Sequence, residues 1–213
     1  MLDGLQLIYA SKRDDIKKRL QDFHQLWLES DDRKIFSELA FCLCTPQSKA
    51  TAADIAIRRA TEAGHLYGGK AEEIAGHLTR SGVRFGNNKA RYIVEARDYF
   101  TQGGMLKIKS KLNFDDLVGM RNWLADNVIG IGMKEASHFL RNISFGKDLA
   151  ILDRHILKNL KKYGVIAEIP KVLSKQTYLD IEEKVRRFSK QVRIPMAELD
   201  LLFWSEEAGQ IFK

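Results

Sequence analysis

The sequence predicts an all-α protein, and three observations carry that prediction. Apolar residues recur at helical spacing along most of the chain. No convincing run alternates apolar and polar residues as a half-buried strand would. All three prolines, Pro46, Pro170 and Pro195, fall at expected helix edges. Taken in order, "DDIKKRLQDFHQLWLES" at 14–30 sets Ile16, Leu20, Phe23 and Trp27 on one stripe, with charges elsewhere. "DDRKIFSELAFCLC" follows with Ile35, Phe36, Leu39 and Leu43. Further helices are expected at 49–63, 71–80, 88–102, 115–127, 133–143, 154–163, 174–192 and 195–211. Short punctuation such as "GHLYGGK" and "TQGGM" separates them. One segment bends the rule: "MLKIKSKL" alternates apolar residues with Lys107, Lys109 and Lys111. It reads either as a solvated connector or as a basic strip facing phosphates. No internal repeat or low-complexity tract interrupts the pattern.

Composition narrows the class. The 213 residues are 45% hydrophobic and 30% charged, ordinary values for a soluble globular chain. Lys and Arg outnumber Asp and Glu by 35 to 28, a formal charge of +7, which favours a polyanionic partner. No apolar run approaches the ~20 residues needed to cross a bilayer. The opening "MLDGLQLIYASKRDD" lacks a secretory layout, so a cytoplasmic home is expected. Cys42 and Cys44 stand two apart on an expected helix and do not face each other, which argues against a disulfide. Two cysteines cannot supply a four-thiolate zinc or iron–sulfur site, and they read as small core residues. The 5 histidines are scattered without metal-ligand spacing, so no metal and no cofactor is expected.

The stretch "WLADNVIGIGMKEASHFL" is the most informative. A helix ends near Asn127, Gly130 and Gly132 make a turn, and a second helix begins. Leu124, Val128, Ile131, Ala136 and Phe139 would clamp the two helices together. Such a turn presents backbone N–H groups at a helix N-terminus, a site suited to a phosphate oxygen. A Cβ at either glycine would hold that phosphate away. Lys134 lies just inside the second helix, where a cation is electrostatically out of place. Asp153 stands nineteen residues on, ahead of "RHILKNL", where it would also make a good N-cap.

This stretch resembles the helix–hairpin–helix motif of base-excision DNA glycosylases. In the bifunctional members of that superfamily, a lysine in this place partners an aspartate about this far on. A carboxylate stabilises the positive charge that builds on the sugar as the glycosidic bond breaks, and an uncharged amine takes C1′ and forms a Schiff base.

A narrower resemblance rests on "ELAFCLCTPQSKA", "GVRFGNNKARYIVEAR", "GIGMKEASHFLRNI", "ILDRHIL", "EIPKVLSKQTYLDIE", "ELDLLFW" and "GQIFK". Together they look like the archaeal-type (type 2) 8-oxoguanine DNA glycosylase/AP lyases, also found in some bacteria. The resemblance implies an all-α, two-lobed helix–hairpin–helix glycosylase fold with a cleft between the lobes. The lobes would be 48–132, ending in the hairpin, and 1–47 with 133–213. It implies Lys134 as nucleophile and Asp153 as its electrostatic partner. Trp204 would pack on the extruded base while Lys213, with its carboxylate, reaches the base's polar edge. Phe85 would lie near the base or its orphaned partner, and Gln47 would fill the gap left in the duplex. Arg84, Lys89 and Arg91 would touch phosphates. His155 reads as a helix-face histidine. The hairpin's carbonyls could also hold a monovalent cation.

The expected activity is therefore excision of 8-oxoguanine from duplex DNA, followed by β-elimination that nicks the strand. The expected partner is duplex DNA carrying 8-oxoguanine or abasic sites, bound by a monomer near the nucleoid of a prokaryote and without a membrane. Two alternatives stay open at this point: a non-catalytic hairpin module that grips DNA, and a glycosylase for a different damaged base.

Overall fold

The computed structural model describes residues 2–213. In chain order the elements are α1 (Leu2–Glu29), α2 (Asp32–Cys44), α3 (Ala50–Glu62), α4 (His65–Gly68), α5 (Ala71–Arg80) and α6 (Gly86–Phe100). A hairpin of β1 (Thr101–Gln102) and β2 (Met105–Leu106) follows. Then come α7 (Ile108–Lys111), α8 (Leu117–Asn127), α9 (Met133–Asn142), α10 (Arg154–Lys162), α11 (Lys175–Val192) and α12 (Met196–Ala208). The fold is all-α, as the helical spacing predicted.

The departures from the expected elements have physical causes. α1 begins at Leu2 instead of residue 14, because its first half is fixed by contacts distant in sequence. Leu5 is fully buried, the Gln6 amide donates to the Val192 carbonyl at 2.6 Å, and the Tyr9 hydroxyl donates to Glu198 at 2.5 Å. "TQGGM" is the tip of a two-residue hairpin. Thr101 pairs with Leu106 and Gln102 with Met105, while Gly103 and Gly104 take the positive φ that such a turn demands. Two of the three lysines after it are tied to backbone carbonyls and do not form a free basic strip. Lys109 donates to the carbonyls of Trp27 and Ser30 and lies 4.3 Å over the Trp27 ring, while Lys111 donates to the Tyr99 carbonyl. Pro46 follows the C-cap of α2 and Pro195 is the N-cap of α12, but Pro170 sits in the irregular segment between α10 and α11.

Two compact units result. One takes both ends of the chain, up to Leu26 and from Leu140 onward; the other is Trp27–Phe139. In the middle unit α2 is buried from Ile35 to Cys44 and packs against α3, α6 and α7. Ile57, Ile74, Leu78, Ile93 and Leu124 complete that core. Because α2 packs there, it goes with the middle unit and not with the chain ends, as the expected 1–47 lobe had it. In the other unit α12 packs on α10 and α11, with Ile156, Leu160, Tyr178, Phe188, Leu202 and Phe203 buried.

Candidate active site

The hairpin takes the anticipated form. Asp116 caps α8 by accepting from the Gly119 N–H at 2.8 Å. The five apolar clamps, Leu124, Val128, Ile131, Ala136 and Phe139, are all buried. Gly130 has φ +89°, and a Cβ there would lie 2.5 Å from Tyr92 Cδ2 and 3.0 Å from Leu43 Cδ2. Backbone and sterics both demand glycine. At Gly132 a Cβ would come within 3.2 Å of Glu135 Oε2. What a Cβ would meet at both positions is thus a protein side chain, a constraint on the glycines that is independent of any phosphate. The first ladder bond of α9 runs from the Ala136 N–H to the Gly132 carbonyl at 2.9 Å. The N–H groups ahead of it lie at the helix's positive end.

Lys134 is half-buried, with 21% of its side chain exposed. Its Nζ lies 3.0 Å from Glu135 Oε1 and donates to Thr45 Oγ1 at 3.3 Å. The Thr45 hydroxyl spends its one hydrogen on the Cys42 carbonyl at 2.9 Å, so toward Lys134 it can only accept. This nitrogen is held in place from two sides.

Thr45 opens the turn that carries Gln47. Gln47 is exposed at φ +54°, and Phe85 is exposed at φ +58°, a backbone region that side chains rarely occupy. The two left-handed residues are tied through Ser48, whose hydroxyl accepts from the Arg84 N–H at 2.9 Å. Arg84 spreads its guanidinium 5.3 Å over the Phe85 ring. Lys89, expected on phosphate, is instead 4% exposed, and this is a correction. Its ammonium donates to the Cys44 carbonyl (2.8 Å), the Pro46 carbonyl (2.6 Å) and Ser48 Oγ (3.1 Å). A buried cation needs such partners, and these three are the turn itself. Burial holds its pKa below the usual lysine value, with the nearby Lys134 charge acting the same way. Arg91 bonds Asn88 on its own helix. The middle unit thus gathers Gln47, Arg84, Phe85, Lys89, Gly130, Gly132 and Lys134 around one small network.

Asp153, Trp204 and Lys213 belong to the other unit. Asp153 caps α10, its Oδ1 accepting from the N–H groups of His155 and Ile156, both at 2.8 Å. Trp204 lies on α12, half-buried, and stacks on Phe212 with ring centroids 6.1 Å apart. His155 is engaged by Glu207 at 3.7 Å and by Arg154 at 3.2 Å, as a helix-face histidine would be. Lys158 bonds Glu207 and holds its carboxyl below the usual range. Sequence reasoning missed Thr45 and Glu135 as the partners of Lys134. Glu135 stands in the first turn of a helix, where an acid is ordinary, so nothing in its position drew the eye.

No group of three or more metal-ligating side chains occurs among the described residues, and none of their helices is long and apolar enough to cross a membrane. Comparison with known proteins gives a consistent picture. A family model described as 8-oxoguanine DNA glycosylase matches residues 16–194. A protein of Fusobacterium nucleatum named 8-oxoguanine DNA glycosylase/AP lyase is 45% identical over 210 residues, covering 98% of this chain and 96% of that protein. The structure of the Methanocaldococcus jannaschii 8-oxoguanine glycosylase/lyase, in complex with a 15mer DNA containing 8-oxoguanine, superposes with a TM-score of 0.87 at 35% identity. That match covers 100% of this chain and 99% of that one. The 8-oxoguanine DNA glycosylase of Thermotoga maritima gives a TM-score of 0.87 at 34% identity, covering 100% and 98%.

Proposed function

This chain belongs to the 8-oxoguanine DNA glycosylase family, and we propose how its own residues perform the reaction. The protein is a bifunctional glycosylase/AP lyase that flips 8-oxoguanine out of duplex DNA, excises it and then nicks the strand. Lys134 is the nucleophile. Its amine attacks C1′ of the extruded nucleotide as the bond to the base breaks, and the resulting Schiff base permits β-elimination 3′ to the lesion. Asp153 supplies negative charge to the developing oxocarbenium, while its backbone contacts fix the carboxylate. Trp204 and Lys213 receive the extruded base, with Phe85 beside it or its orphaned partner, and Gln47 fills the space left in the duplex. The hairpin's N–H groups and Arg84 hold phosphates. Such contacts position the duplex without reading sequence. The enzyme works as a monomer on the DNA of a prokaryotic cytoplasm.

One observation carries the assignment. A lysine immediately after the glycine turn has its nitrogen held by Thr45 and Glu135, where a solvated lysine would be unrestrained. The test is borohydride trapping on duplexes that carry 8-oxoguanine, other damaged bases or none. The parent protein should cross-link to the 8-oxoguanine duplex, and Lys134→Gln should lose both base release and the adduct. An adduct retained by Lys134→Gln moves the nucleophile elsewhere. Binding without any adduct from the parent makes the protein a non-catalytic hairpin module.

A further inference from the structure

We propose that Glu135 is a positioning residue for Lys134, accepting the proton that the lysine must shed before its nitrogen can attack the sugar. This deepens the reading above and rests on Lys134 being the nucleophile. The contacts that carry it lie inside the Trp27–Phe139 unit.

Neighbours in a helix point some way apart and do not normally face each other. Here the adjacent side chains converge, with Lys134 Nζ 3.0 Å from Glu135 Oε1, a distance that one proton crosses directly. The other oxygen, Oε2, occupies the space that Gly132 leaves open, since a Cβ there would sit 3.2 Å from it. A general preference for acids at helix starts accounts for a glutamate in the first turn. It does not account for a carboxylate that fits one oxygen over a glycine and turns the other onto a lysine. Thr45 completes the arrangement. Its hydroxyl accepts from Lys134 whether the nitrogen is ammonium or amine, so the nitrogen stays in place when the proton leaves.

Lys89 from α6, Arg84 ahead of α6 and the buried Cys44 thiol of α2 belong to the same network, and none of them accepts a proton at neutral pH. His138, one turn further along α9, is buried with its ring against Phe41, whereas Glu135 is the carboxylate that touches Lys134 Nζ. The step balances as follows. The Nζ–H bond breaks and its hydrogen joins the Glu135 carboxylate. The freed electron pair forms the Nζ–C1′ bond while the bond from C1′ to the base breaks, its pair leaving with the base, which takes a proton from solvent. In open water the transfer runs uphill, because a carboxylate is the weaker base. Nucleic acid covering the pair removes the water that stabilises two ions and so favours two neutral groups. The nucleophile is then released where the substrate is.

Single-turnover excision and trapping, measured from about pH 6 to about pH 9, test this. Glu135→Gln should slow excision about 100-fold near neutrality, with the deficit shrinking to within about tenfold at the alkaline end, where hydroxide replaces the missing acceptor. Glu135→Asp should recover most of the rate, and duplex affinity should match the parent in both. A Glu135→Gln rate equal to the parent overturns the inference, as does a deficit of the same size at every pH, the mark of a merely structural role. Lys134→Gln separates the two readings. If it still traps, the nucleophile is misassigned. If it does not trap while Glu135→Gln is unimpaired, the inference about Glu135 alone falls.

Discussion

Lys89 illustrates what a single residue can hide. The family resemblance implied a phosphate contact, yet the side chain points inward and fastens the Cys44–Ser48 turn by three hydrogen bonds. Lys89→Met would leave those oxygens without their cation and should cost about 2–4 kcal/mol of stability, read from the denaturant midpoint. It should also release the strained backbone at Gln47, so excision should fall more than the midpoint shift explains. Sequence singled out Lys134 and Asp153 as candidates because the family pattern marks them. It could not say which cations turn inward, because a lysine's direction is decided by oxygens that other segments bring. Thr45 was obscured for the same reason, and Glu135 because an acid in a helix's first turn is ordinary. Thr45 meets Lys134 because of where α2 ends in space, not because of spacing along the chain.

Among elements, α10 separates two duties of one carboxylate. Asp153 is its N-cap, with φ −89° and ψ 177° and two N–H groups bonded to one oxygen. Asparagine caps a helix about as well as aspartate, whereas alanine costs about 1 kcal/mol. Asp153→Asn should therefore melt with the parent and bind duplex as tightly, yet excise far more slowly. Asp153→Ala should show the same chemical loss together with a lower midpoint. An asparagine variant as fast as the parent would reduce Asp153 to a cap. Helices with a strong apolar stripe were legible, most clearly α2 and the pair of the hairpin, whose clamp residues are buried as expected. The first half of α1, the one-turn helices α4 and α7 and the β1–β2 hairpin were not. Elements so short, or a stretch held by partners some 190 residues away such as Tyr9 on Glu198, draw their stability from tertiary contacts that leave no local period.

At the scale of the molecule, the division into units was only partly readable. The lobe bounds implied by the resemblance lie at 47/48 and 132/133, whereas the two units divide at 26/27, inside α1, and at 139/140, inside α9. The buried core of the middle unit also sets how the protein responds to alkali. Burial pushes the Cys44 thiol up to about 12 from an ordinary value of 9.0. Below that ordinary value both the folded and unfolded chains keep the proton. Above it the unfolded chain sheds a proton that the folded chain retains, so stability should fall with rising pH by roughly 1.4 kcal/mol per unit until the folded thiol ionises as well. Tyr67, raised chiefly by burial, acts with the same sign, so the comparison must be pairwise. Denaturant midpoints near neutrality and in alkali should decline less steeply for Cys44→Ala than for the parent. The same burial bears on the setting in which such an enzyme works. Peroxides that damage guanine also attack thiolates, and sulfur that is covered and fully protonated gives them nothing to react with. Cys42 and Cys44 are both fully buried, and Cys44 also keeps its proton, so the repair protein should keep working in the oxidative burst that creates its substrate.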